Sequence, residues 1–199
     1  MKLPAALGGG SGLVIWRLDQ RKHAEGWDSG EGAFRDGGRW NSKGARAVYC
    51  SLDPATAILE VAVHKGFKVL DTVPYVITAA RIADVGEVHV VKHDAVPNPN
   101  WLRPGAPSAG QQTFGADFLR RHRFVAIPST VSTHSWNLIF DPLKAIGFYS
   151  LDFQEPFALD TRLHPPSEDA EPRKSSGGKR SVHSSTGNQS IMSLYASGS

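Results

Sequence analysis

Short apolar runs, separated by clusters of glycine, proline and polar residues, punctuate this chain from position 13 to position 163. Residues 13–18 (LVIWRL) form a β-rich apolar run that predicts a strand, and a polar, glycine-rich passage follows over 19–44. Residues 45–52 (ARAVYCSL) predict a second strand. Asp53-Pro54 then supplies a helix N-cap and a first-turn proline, and 55–65 (ATAILEVAVHK) continue as helix. Two further stretches are strand-like, 74–82 (PYVITAARI) and 85–91 (VGEVHVV), the second alternating apolar and polar positions. A proline-rich loop covers 96–108. Residues 111–123 (QQTFGADFLRRHR) predict a helix in spite of an internal glycine, and 124–129 (FVAIPS) a short buried strand. Residues 127–142 carry a polar loop between apolar elements, and GFYSLDF and PFALD near the end predict a closing hairpin or two short strands. Many short strands with two or three helices indicate one compact mixed α+β domain rather than a doubly wound sheet.

Composition narrows the class. The chain has 199 residues, enough for one sizeable core and too few for two full domains. Hydrophobic residues at 40% and charged residues at 21% are ordinary for a soluble protein. Residues 1–12 end in GGGSG and predict a flexible leader, which leaves 13–163 as the folded domain. Residues 164–199 are rich in Ser, Gly, Pro and mixed charge, with too little apolar surface to offset their ordering entropy, so a disordered tail is expected. The single cysteine, Cys50, excludes an internal disulfide and fits a reducing compartment. No signal peptide and no run of roughly 18 apolar residues is present, so a cytoplasmic protein without membrane association is expected. The net charge is only +3, and no Lys/Arg block interleaves with aromatics, so direct nucleic-acid binding is not expected.

Two positions stand out chemically. Glu60 sits in a helix whose other residues are apolar nearly all round, and such a helix is normally buried. A carboxylate there must be paired, hydrogen-bonded or turned into a polar cleft, since an unpaired buried charge costs several kcal/mol. The alternative is a solvent strip shared with Thr56 and His64, and spacing alone leaves both open. The second position is Arg39 in GGRWNSKG (37–44). Its glycines allow close backbone approach and its planar fork suits phosphate or carboxylate, although composition alone favours a surface loop with a salt-bridged arginine. Tyr49, Ser129 and Asn137 are polar groups near apolar elements that can line a pocket or merely satisfy local backbone. The histidines have no metal-ligand spacing, and neither a nucleophile elbow nor a dinucleotide fingerprint occurs. Cys50 is expected to be a small buried hydrophobe.

Taken in order, WRL (16–18), SGEGAFRDGGRWNSKG (29–44), AVYCSLDPATAILEVAVH (47–64), Trp101, QQTFGADFL (111–119), IPSTVS (127–132), WNLIFDP (136–142) and PFALDTRL (156–163) resemble the RES domain, a family named for its arginine, glutamate and serine. The resemblance implies a fold similar to ADP-ribosyltransferases and a toxin of a toxin–antitoxin system that acts on NAD as substrate, without a metal. It implies cleavage of the nicotinamide–ribose bond by hydrolysis or phosphorolysis. The alternatives are ADP-ribose transfer to a specific protein and a non-catalytic NAD- or partner-binding module. It further implies a cognate helix-turn-helix antitoxin of the Xre/ParS-like kind covering the active-site entrance. The family's arginine falls on Arg39, its tyrosine on Tyr49, its glutamate on Glu60 and its serine on Ser129, with Arg17 and Asn137 as further cofactor-facing positions. Glu60, Arg39 and Tyr49 would carry catalysis, and Arg17, Arg39, Tyr49, Ser129 and Asn137 would bind NAD. Asp141-Pro142 departs from the family's more usual Asn-Pro.

Overall fold

The geometry comes from a computed structural model that describes residues 12–163; the expected leader (apart from Gly12) and the expected tail lie outside the described residues. Local chemistry sets the element boundaries. The helix that carries Glu60, α2 (Pro54–Lys65), starts where the Asp53 carboxylate accepts hydrogen bonds from the Thr56 amide at 2.8 Å and hydroxyl at 2.6 Å. It ends at Gly66, whose φ of +79° suits a residue without Cβ. The other long helix, α4 (Ala109–Arg121), starts at Ser108, whose hydroxyl accepts from the Gln111 amide at 3.2 Å. Short helices α1 (Glu31–Asp36), α3 (Phe67–Thr72) and α5 (Pro142–Ala145) complete the set.

Seven strands form one sheet in the order β4-β5-β6-β2-β1-β3-β7. They are β1 (Leu13–Gln20), β2 (Val48–Ser51), β3 (Tyr75–Ile82), β4 (Val88–Val90), β5 (Phe124–Pro128), β6 (Trp136–Phe140) and β7 (Tyr149–Phe157). All neighbours are antiparallel except β4 and β5. Strand β1 pairs with β3 along its whole length, Leu13 opposite Ile82 through Gln20 opposite Tyr75, but meets β2 at one pair only, Trp16 opposite Ser51. The two strands therefore splay, and the Arg17 guanidinium spans the gap by donating to the Tyr49 carbonyl at 2.7 Å.

Residues directly opposite one another share a face of the sheet. On one face Trp40, Leu119, Val125, Ile127 and Ile139 pack with Tyr49 and Phe114 beneath α4, and Leu18, Tyr75 and Ile77 pack with Ile58, Val61 and Ala62 beneath α2. The other face buries Ile15, Val48, Cys50, Phe124, Leu138 and Phe140 against Trp27 and Tyr149. Because α2 and α4 stand on the same face, a cleft opens between them over β2 and β1.

The mixed single-sheet architecture agrees with the pattern of the sequence, and several elements differ in detail. The strand expected over 85–91 is confined to β4, preceded by a 3-10 turn at Val85–Glu87 that the Asp84 carboxylate caps. The polar stretch 127–142 contains β6, whose apolar WNLIF is too short to declare its period. The closing segment is one nine-residue strand with a bulge, Ala79 opposite Phe153 and Ala80 opposite Leu151, rather than a hairpin. Helix α2 is also less enclosed than its composition suggested: Leu59 and Val63 are exposed while Thr56 is buried, so Thr56 and Glu60 do not share a solvent strip.

Candidate active site

The Glu60 carboxylate is reached from the turn after β5 and from β6. Its Oε1 accepts a hydrogen bond from Ser129 Oγ at 2.9 Å and a short one from Asn137 Nδ2. Ser129 lies just beyond β5, is buried, and its Oγ also accepts from the Val131 and Ser132 amides at 3.2 and 3.3 Å, so the turn fixes the hydroxyl that serves Glu60. Asn137 is oriented from β2: buried Ser51 donates to its Oδ1 at 2.8 Å, which leaves the amide nitrogen facing the carboxylate. Among the described residues Oε2 of Glu60 takes no hydrogen bond and Glu60 forms no ion pair. One oxygen is held and the other is free to act.

Glu60 and Asn137 line a cavity of about 840 Å³, together with Arg17, Arg39, Tyr49 and Ser51. Ser129 stands behind Glu60 rather than on the cavity wall. The floor is shaped by Asn41, which is fully buried. Its Nδ2 donates to the carbonyls of Ala33, Ser42 and Ala45 at 2.9–3.1 Å, and its Oδ1 accepts from the Tyr49 hydroxyl at 2.7 Å. Tyr49 in turn accepts from the Trp40 amide at 3.0 Å. Burial raises the Tyr49 pKa, more than the Trp40 amide and the nearby Arg39 lower it, so Tyr49 stays a neutral hydroxyl. Gly38 touches this pair closely: a Cβ there would lie 2.5 Å from both Asn41 Oδ1 and the Tyr49 hydroxyl. Its carbonyl receives Gln112 Nε2 of α4 at 2.9 Å. Replacing Asn41 with alanine takes the donor from the Ala45 carbonyl and the acceptor from the Tyr49 hydroxyl, while the Ala33 and Ser42 carbonyls keep the Gly37 and Ala45 amides. We expect the variant to be less stable by about 2 kcal/mol in denaturant unfolding; an unchanged midpoint and slope would refute this.

The two arginines differ in setting. Arg17 makes a bidentate pair with Asp19, Nε to Oδ2 at 2.7 Å and Nη2 to Oδ1 at 2.8 Å. Burial works against its charge, but Asp19, with help from its hydrogen bond and from neighbouring Asp28, raises the pKa overall, so the guanidinium is permanently charged. Arg39 reaches across the cleft mouth and donates to the carbonyls of Gly105 at 3.1 Å, Arg103 at 3.4 Å and Trp101 at 3.5 Å. It ties the proline-rich segment over the glycine loop while still lining the cavity. Cys50 is buried under Arg17, and burial pushes its thiol up to about 12, which leaves it un-ionised. Among the described residues no group of three His, Cys, Asp or Glu side chains converges as metal ligands would, and no helix is long and apolar enough to cross a membrane.

The structure thus gathers Glu60, Ser129 and Asn137 into one hydrogen-bonded cluster, has Tyr49 and Arg17 among the residues lining the same cavity, and places Arg39 at the mouth. The sequence reading did not single out Ser51 or the buried role of Asn41. Ser51 was accessible in principle, since it stands two residues after Tyr49 on a strand and therefore shares its face.

The RES domain family model matches residues 14–160. The chain belongs to the RES domain family. Among curated relatives, this RES domain is 29% identical over 155 residues to "Toxin Res" of Photorhabdus laumondii, covering 76% of this chain and 97% of the relative. "Toxin Res" of Pseudomonas putida is 28% identical over 153 residues, covering 76% of this chain and 99% of that protein. The "Prs ADP-ribosylating toxin" of Sphingobium is 30% identical over 134 residues, covering 64% of this chain and 81% of the relative. A solved chain of the M. tuberculosis MbcT–MbcA toxin–antitoxin complex superposes with a TM-score of 0.61 at 20% identity, covering 74% of this chain and 85% of that one. It shares the fold.

Proposed function

We propose that this chain is the toxin of a toxin–antitoxin pair and that it breaks the nicotinamide–ribose bond of NAD. The observation that carries the reading is Glu60, a carboxylate with one oxygen fixed by Ser129 and Asn137 and the other free, on the wall of a cavity of about 840 Å³. That volume lies in the range of small-molecule sites, about 300–1,000 Å³. The family membership and the toxin relatives support the biological role.

The chemistry needs little more than charge and positioning. As the bond between ribose C1′ and the pyridinium nitrogen breaks, the electron pair goes to the nitrogen, nicotinamide leaves neutral, and positive charge develops on the ribose. A fixed carboxylate stabilises that charge and accepts hydrogen bonds from ribose hydroxyls. The glycine loop and Arg39 suit the pyrophosphate. Tyr49 and Arg17 support the ribose side, and an oxygen nucleophile, from water or phosphate, then adds to C1′. Ser129 acts through Glu60 as a positioning residue.

The second reading, transfer of ADP-ribose to a protein, draws on the relative named as an ADP-ribosylating toxin. Incubating purified protein with NAD, with and without phosphate, and following nicotinamide and ADP-ribose separates the two. Nicotinamide release without a protein acceptor supports hydrolysis or phosphorolysis; release only after lysate is added supports transfer. An antitoxin is the partner this reading calls for, supported by the toxin–antitoxin neighbour; a helix-turn-helix antitoxin covering the cleft and action in the cytoplasm are the finer expectations of the same reading. Arg39→Ala is expected to raise the Kd for NAD about tenfold or more, measured by calorimetry, since a charge-assisted contact contributes about 1.5–3 kcal/mol. Unchanged affinity would remove Arg39 from the binding site.

A further inference from the structure

A second cavity, of about 500 Å³, opens at the C-terminal end of α4 and shares no lining residue with the cleft. Pro128 at the end of β5 lines the cleft, whereas Arg123 just before β5 lines the second cavity, so the two lie toward opposite ends of that strand. The walls carry Arg120, Arg121, Arg123 and Lys144 against one carboxylate, Glu87. Two of these cations have structural duties. Arg123 pairs with Glu87 and so cancels that carboxylate, and its Nε donates to the Lys144 carbonyl at 3.2 Å. Lys144 Nζ donates to the Leu119 and Arg120 carbonyls at 2.7 and 2.8 Å, which covers the partial negative charge at the end of α4. Arg120 pairs with Asp117, which does not line the cavity. Arg121 meets no acid: its Nε donates to the Asp117 carbonyl at 3.1 Å, and its guanidinium lies 4.9 Å from the Phe118 ring centre. Among the described residues its Nη1 and Nη2 have no partner. On the same walls the rings of His89 and His122 stack 4.0 Å apart at 12°, with Phe118 packed on His89 at 5.1 Å. Among the described residues neither imidazole makes a hydrogen bond.

We propose that this cavity binds a small phosphate-bearing molecule, at a site separate from the cleft and independent of the chemistry there. Arg121 offers two free amino groups in the planar fork that suits phosphate oxygens, and the two imidazoles add ring N–H donors. The volume lies in the small-molecule range of about 300–1,000 Å³ and exceeds what one phosphate group fills, so the rest of the ligand has room in the cavity. The histidines make the site responsive to pH. Burial, the His89 ring and the Arg121 guanidinium hold the His122 pKa below its ordinary value, so this ring is neutral at neutral pH. A bound dianion favours the protonated ring, binding therefore takes up a proton, and affinity rises as pH falls. Of the other charged groups on the walls, Glu87 is already paired with Arg123, and Arg120, Arg121 and Lys144 keep their charge throughout this range.

The probe is inorganic pyrophosphate, followed at constant ionic strength through the imidazole NMR signals of His89 and His122. Saturable shifts with a Kd of about 1 mM or tighter are expected for the wild type. Arg121→Gln, at an exposed position that a thermal melt should show to be folded, is expected to raise this Kd about tenfold. Arg39→Ala, in the cleft, should leave it within about twofold. Absent shifts, shifts matched by sodium chloride, a Kd indifferent to Arg121→Gln, or one raised equally by Arg39→Ala would overturn the site. Sulfate, whose charge is constant over the range, should bind several-fold more tightly at about pH 6 than at about pH 8. Equal affinity would overturn the site as drawn, because the imidazoles would take no part in it. Sedimentation with phosphatidylglycerol vesicles, without any pyrophosphate shift, would assign the charge to a lipid surface and overturn the pocket.

Discussion

Glu60→Gln is expected to lower NAD turnover by about 10³-fold while leaving the domain folded. Glutamine has the same shape, and its carbonyl oxygen can keep the hydrogen bonds from Ser129 and Asn137 that Oε1 accepts. What disappears is the negative charge opposite the developing positive charge on the ribose, the interaction that differs between ground and transition states. Stability should change by less than about 1 kcal/mol, because no buried group loses its partner. Nicotinamide release gives the rate and a thermal melt gives the fold. Full activity in this variant would remove Glu60 from catalysis and, with NAD binding intact, would favour a non-catalytic binding module.

The largest effect on stability is expected at a residue far from the chemistry. Gly115→Ala in α4 should destabilise the domain by about 3 kcal/mol, against a gain of about 1 kcal/mol that helix propensity alone would give. A Cβ at Gly115 would lie 2.3 Å from the Trp40 carbonyl oxygen, 2.5 Å from its Cβ and 2.6 Å from its Cα, so two backbones would have to separate. Trp40 is itself 2% exposed and anchors the glycine loop, so the shift would also disturb the Asn41–Tyr49 pair at the cavity floor. Denaturant unfolding checks the magnitude, and a variant as stable as the wild type would show that α4 does not seat on Trp40. A loss of NAD affinity is expected to accompany the loss of stability.

That glycine illustrates what the sequence could and could not convey. The helical period over 111–123 was readable in spite of Gly115, but the reason for the glycine lies 75 positions earlier, at Trp40. The α2 boundary was fully legible, because Asp53, Pro54 and Gly66 act locally. β6 was not, since its register is imposed by β2 and β5 on either side. The site divides in the same manner. An acid in an apolar helix flagged Glu60, and the resemblance to the RES domain grouped it with Ser129 and Asn137; their hydrogen bonds, across 69 and 77 positions of chain, appear only in three dimensions. Arg39 was noticed for its glycines, yet its attachment to the carbonyls of 101–105 depends on a loop that proline content marked only as irregular.

The meeting of β1 and β2 at a single pair has a mechanical consequence. Backbone hydrogen bonding couples β4-β5-β6-β2 on one side and β1-β3-β7 on the other, but barely joins the two groups. Cooperativity across the seam must then be carried by side chains: the core that packs Ile15 and Ile82 against Val48, Cys50 and Phe140, together with Arg17 reaching the Tyr49 carbonyl and Glu60 reaching Ser129 and Asn137. A molecule that bridges the seam would act as a tie between two sub-sheets. Its occupancy should slow amide exchange along β2 and β1 more than in the interiors of either half.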